Sequence, residues 1–185
     1  MSSYTLYYWT ACEKFWGRGI PIVLTLDSAG AKYEIKQADE APSGVCFAVP
    51  IFSFPNGVTI SQTTAILDIL GETFGLNGAT PEAKMMSKQY LLDLTDVFSE
   101  LMSGKLSDEA RADKWLTLLN SKLTKTFFLG DAPSTVDFYA IFVFEWIVKK
   151  GLAFDKYANL TKWWAAIKEV PAVKKMYSSG VPMIP

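Results

Sequence analysis

Residues 49–67 constrain this chain more than any other stretch. Val49-Pro50 leads into an apolar run ending at Phe54 that reads as a strand. Pro55-Asn56-Gly57 turns the chain back, and residues 57–60 return beside the first strand. Ile60-Ser61-Gln62-Thr63 then opens a helix expected over residues 62–74. A hairpin feeding straight into a helix leaves an unpaired backbone edge beside a helix N-terminus. That terminus offers free N–H groups and a partial positive charge. Such a pair suits a small ligand that has both a peptide backbone and a carboxylate.

The pattern on either side falls into two parts. The first 75 residues or so alternate short strands and helices. Tyr4 to Trp9, rich in aromatic residues, predicts a strand. Pro21 to Ala29 predicts a helix closed by Gly30, and residues 32–36 a second strand. Residues 39–48 show little periodicity and are expected to form a surface loop. After Gly75 to Pro81 the grammar becomes purely helical, with segments expected at 82–102, 107–123, 134–150 and 160–177. The expected organisation is an α/β domain over residues 1–76 and an all-α domain over 82–185. Ser134-Thr135-Val136-Asp137 reads as a capping box ahead of a helix too apolar to be exposed. It is read as a folding element, with no part in catalysis.

Composition removes several function classes. The 185 residues include no histidine, which excludes Ser-His and Cys-His nucleophile systems and His-ligated metal. Acid–base work must then fall to tyrosine, carboxylate, lysine or thiol. A net charge of −1 gives no long-range attraction to nucleic acid or anionic lipid. Two cysteines, Cys12 and Cys46, are too few for a disulfide framework, and Cys46 reads as a small core residue. With no signal-peptide layout and no apolar run of about 20 residues, the expectation is a cytoplasmic protein without membrane insertion.

Read in order, these segments resemble the glutathione transferase family, of the tyrosine-type, sigma-like kind. The matching fragments are Leu6-Tyr7-Tyr8-Trp9, Gly17-Arg18-Gly19, Ala29 to Glu34, Val49-Pro50 and Ile60 to Leu67. Phe128-Leu129-Gly130-Asp131, Ser134 to Asp137, Tyr157 to Leu160 with Trp163, and Val170 to Val173 extend the likeness nearly end to end. The resemblance implies a thioredoxin-like N-terminal domain followed by an all-helical C-terminal domain, paired as a homodimer. It implies glutathione as cosubstrate, a small hydrophobic electrophile as the other reactant, and no metal; conjugation of that kind is detoxification. Pro50 would be a cis proline that aims the N–H and C=O of Val49 at the cysteinyl backbone of glutathione. Gln62 and Thr63 would take the γ-glutamyl carboxylate, against the bland alternative of ordinary helix capping.

The thiol of glutathione ionises near pH 8.5 when free, so a transferase must stabilise its anion. Tyr8, late in the first strand, is the candidate hydroxyl, with Tyr7 on the opposite face by strand alternation. Arg18 is a candidate positive charge, or equally a surface ion pair. The segment between Trp9 and Gly17 is longer than in tyrosine-type relatives, and an ungapped alignment puts Cys12 at the tyrosine position. Cys12 would then form a mixed disulfide with glutathione, with Lys14 lowering its pKa. Lys36 is a weak substitute for the lysine expected to hold the glycyl carboxylate. Met85, Met86, Tyr90, Leu94 and Phe98 are candidates for an apolar wall, and Asp93 or Asp96 for a contact to a neighbouring subunit's glutathione. Two alternatives stand beside conjugation: a non-catalytic interaction or carrier subunit of a larger assembly, and a Cys12-dependent thiol transferase.

Overall fold

The computed structural model of the protein describes residues 3–9 and 15–185. Four strands form one mixed sheet: β1 (Tyr4–Tyr8), β2 (Tyr33–Gln37), β3 (Ile51–Ser53) and β4 (Thr59–Ser61). The spatial order is β2-β1-β3-β4, with β1 and β2 parallel and the other two pairs antiparallel. Helix α1 (Ile20–Ser28) makes the parallel crossover, and α2 (Thr63–Phe74) follows β4. Leu6, Tyr8 and Phe52 share the core cluster with Ile20, Leu24 and Ile66, while Tyr7 stays outside it. Strand alternation therefore separates Tyr7 from Tyr8 as expected. This is the thioredoxin-like half of the anticipated architecture.

Five helices follow: α3 (Pro81–Met102), α4 (Glu109–Lys122), α5 (Thr135–Lys149), α6 (Ala158–Lys168) and α7 (Pro171–Ser178). Every residue from Thr135 to Phe144 is buried, and α5 packs against both α1 and α3. A helix with no exposed face over three turns has to form the centre of its domain. Its start is held by Asp137, fully buried, which accepts from the N–H of Ser134 (2.9 Å), the hydroxyl of Ser134 (2.5 Å), the N–H of Phe128 (3.1 Å) and the indole of Trp163 (2.9 Å). Burial pushes the Asp137 carboxyl upward and these four donors pull against it.

Two expectations need correction. Residues 160–177 form two helices, because Pro171 has no N–H to continue α6 and instead opens α7 at its first turn. Cys46 is half-buried in the loop before β3 and takes no place in the core cluster.

Candidate functional site

The register of the sheet gathers the site. Tyr7 pairs with Ile51, and Ile51 pairs with Ser61. Continuing one residue further sets Pro50 opposite Tyr8 and Gln62 opposite Pro50, a row across the end of three adjacent strands. Two inter-strand steps span about 10 Å, close to the length of an extended tripeptide. The Val49-Pro50 peptide is cis. Val49 precedes the first ladder residue, so its N–H and C=O lie outside the strand pairing.

At one end of the row stands Tyr8. Its ring is buried among core residues, and its hydroxyl accepts the backbone N–H of Arg18 at 2.9 Å. Gly17 makes this approach possible. Its φ is +53°, and a Cβ there would lie 2.6 Å from the Tyr8 oxygen, so a side chain at position 17 would collide with that hydroxyl. The Gly17-Arg18-Gly19 run was visible in the sequence, but the role of Gly17 as the floor beneath Tyr8 was not.

The side chain of Arg18 reaches across to the helical half. Its guanidinium lies over the Phe98 ring of α3, 5.1 Å from the centroid. Among the described residues it has no carboxylate partner, which removes the surface-ion-pair reading. Tyr139 of α5 lies near the same charge, and its hydroxyl is 3.2 Å from that of Thr95. Burial raises the Tyr139 pKa, opposed by the Thr95 hydrogen bond and the Arg18 charge. Tyr139 carries no sequence signal of this placement, since it is the packing of α3 against α5 that sets it beside Thr95 and near the Arg18 charge.

At the other end of the row, Gln62 has φ 75° and ψ 108°, making it the one non-glycine with positive φ among the described residues. A side chain in this region carries strain of about 1–3 kcal/mol. Gln62 is exposed and places no side-chain cap on α2. Thr63, at the first position of the helix, is buried and its hydroxyl forms no hydrogen bond among the described residues. The ordinary-capping reading of this pair therefore fails. What remains is a strained glutamine, an unengaged threonine and open helix N–H groups facing the same end of the sheet.

The other candidates fall elsewhere. Lys36 pairs in register with Tyr7, on the sheet face opposite Tyr8, and its ammonium sits 3.2 Å from Glu34. The Glu34 hydrogen bond, then its charge, raises the Lys36 pKa. The structure does not bring Lys36 together with the row. Cys12 and Lys14 lie outside the described residues. Met85 points to solvent at 70 % exposure, while Tyr90, Leu94 and Phe98 are buried; only Phe98 meets a site residue, through Arg18. Asp96 is exposed and Asp93 half-buried, with Asp93 accepting from Gln89 at 3.4 Å. Among the described residues no group of three or more acidic or cysteine side chains is arranged to hold a metal, and no helix is long and apolar enough to cross a membrane.

Residues 103–171 match the glutathione S-transferase C-terminal domain. A glutathione S-transferase of Tyrophagus putrescentiae is 27 % identical over 149 residues, covering 71 % of this chain and 68 % of the relative. The chain is thus similar to glutathione S-transferases, and its residues 103–171 carry the match to their C-terminal domain. Solved structures of glutathione S-transferases carry the same fold over nearly the whole length. One from Caenorhabditis elegans superposes with a TM-score of 0.80 at 21 % identity, covering 97 % of this chain and 98 % of that one. A glutathione transferase homologue from Lodderomyces elongisporus, solved with two glutathione molecules per subunit, gives 0.76 at 17 % identity over 97 % of this chain and all of that one. At such identities these two establish the architecture: a thioredoxin-like half followed by a helical half. The glutathione transferases are transferase enzymes.

Proposed function

We propose that this chain is a tyrosine-type glutathione transferase that adds the glutathione sulfur to small hydrophobic electrophiles. The observation that carries this reading is the row Tyr8–Pro50–Gln62, with the Tyr8 hydroxyl held by the Arg18 N–H at one end and the uncapped start of α2 at the other. Gln62, Thr63 and the helix N-terminus take the γ-glutamyl carboxylate, where the helix field favours an anion. The cysteinyl backbone pairs with the N–H and C=O of Val49 like a short added strand. Its sulfur then lies beside Tyr8.

A hydroxyl that accepts an amide N–H becomes a stronger donor of its own proton. Tyr8 donates to the sulfur, Arg18 adds positive charge nearby, and the thiol proton leaves to water. The resulting thiolate forms the S–C bond to the electrophile, which then expels its leaving group as an anion. An activated double bond instead shifts the displaced electron pair onto its electron-withdrawing group and takes a proton from water. Each unit by which the thiol pKa falls is worth about 1.4 kcal/mol of preference for the thiolate. The domain division at residues 76 and 82, the pairing of two copies as a homodimer and a cytoplasmic location belong to the same proposal.

The test is conjugation of glutathione to a halogenated nitroaromatic, alongside calorimetric titration with glutathione. Tyr8→Phe is expected to lower turnover by about 10²-fold or more while glutathione affinity stays within a few-fold. Unchanged turnover in Tyr8→Phe, with loss in Cys12→Ser, would move the chemistry to the thiol. Absence of glutathione binding would leave the non-catalytic reading.

A further inference from the structure

The segment after α7 returns to the thiol-activating end of the site. The N–H of Trp16 donates to the carbonyl of Pro182 at 3.0 Å, and the N–H of Gly17 to the carbonyl of Met183 at 2.8 Å. These two consecutive bonds involve the residues immediately before Arg18, whose own N–H is on the Tyr8 hydroxyl. The segment is anchored at both ends. Gly180, with φ +75°, reverses the chain after α7, and Val181 donates to the Ser179 hydroxyl at 3.2 Å. Met183 is 5 % exposed and sits in the core cluster, with Ile184 packed against it.

We infer that residues 180–184 act as a strap that sets the Arg18 N–H on Tyr8, and that Met183 is a positioning residue for thiol activation. The inference rests on the proposed role of Tyr8. Its physical basis is the tightness of the contact: Gly17 lies so close beneath the Tyr8 oxygen that a small shift of residues 16–18 either lengthens the Arg18–Tyr8 bond or drives the backbone into the ring. Trp16 only flanks, and Gly17 only opens, a single 3-10 turn over Gly17–Gly19, and no strand ladder holds either residue. Strap bonds do that instead. Met183 touches neither substrate in this scheme and works through Gly17 and Arg18.

The experiment measures the ultraviolet thiolate absorbance of enzyme-bound glutathione against pH, together with glutathione affinity, in the full chain. Met183→Ala removes the buried anchor; Met183→Leu keeps it. Gly180→Val disturbs the left-handed turn and serves as an independent variant if Met183→Ala does not fold. Titratable and charged groups around the contact among the described residues are Arg18, Tyr139 and the hydrogen-bonded pair Tyr177 and Glu145, all retained in each variant. Expected is a rise of about one unit in the bound thiol's pKa in Met183→Ala or Gly180→Val, a tenfold loss of thiolate below it. Conjugation should fall correspondingly at neutral pH and recover in alkali, with affinity within a few-fold and Met183→Leu like the unaltered chain. An unshifted thiol titration in the folded variants overturns the strap. A chain that never binds glutathione overturns the glutathione reading itself, and the strap with it.

Discussion

Gln62 sits where its own backbone geometry opposes it. With φ 75° and ψ 108°, its Cβ crowds the chain, and it gains no capping bond in return. Glycine adopts such a conformation without that penalty but loses more freedom on folding, so the two effects partly offset. Gln62→Gly is expected to stabilise the protein by about 1 kcal/mol and to weaken glutathione binding by about tenfold. Thermal melting and calorimetry read the two halves of that statement separately. A less stable variant, or one that binds glutathione normally, would mean the strain serves something other than the ligand. Tyr8 and Gln62 are candidates by resemblance, and the local signals of strand alternation and helix start suffice to place them at a strand end and a helix start. Arg18 over Phe98, and Tyr139 nearby, could not be placed that way, since those contacts join positions 80 and more residues apart.

Between the sheet half and the helices, one buried asparagine ties three elements together. Asn77, 1 % exposed, donates to the Asp68 carbonyl of α2 at 2.9 Å. Its own carbonyl oxygen accepts from Thr135 of α5 (2.7 Å) and Ser87 of α3 (3.4 Å). Gly71 makes room for it: a Cβ there would lie 1.7 Å from the Asn77 oxygen. Gly71→Ala should therefore expel the Asn77 side chain and leave buried partners unsatisfied, costing about 3 kcal/mol, or roughly 6–12 °C in melting temperature. Placed in an Asn77→Ala background, the same substitution should cost far less, because the clash has gone. Equal costs in both backgrounds would dismiss the mechanism. From sequence, Gly75-Leu76-Asn77-Gly78 reads only as a boundary, because a turn-forming asparagine and a buried junction asparagine look alike until the elements meet. The elements themselves were legible from periodicity and from Pro and Gly signals. The break at Pro171 was missed because the apolar spacing of Trp163, Ile167 and Val170 runs on through it.

At the scale of the whole molecule, Phe47 is the most exposed large apolar side chain among the described residues. It is fully exposed, in the loop that precedes the cis Val49-Pro50 bond, with Val45 beside it half in water. Burying one such aromatic side chain contributes about 1.5–3 kcal/mol, and a two-fold dimer would bury it twice. A second copy of this chain is the proposed cover, since a two-fold pairing of like surfaces closes on itself and buries the same residue on both sides. Phe47→Ser is then expected to raise the dimer dissociation constant by about 10²-fold or more with little change in chain stability. Light scattering across a dilution series checks this, the unaltered chain holding twice the mass of one chain where the variant has dissociated. Because Phe47 and the Val49 backbone share one loop, dissociation should also weaken glutathione binding, and calorimetry on the diluted variant should find that loss. A unaltered chain that stays monomeric at every concentration would leave Phe47 without a self-partner and detach the loop's order from assembly.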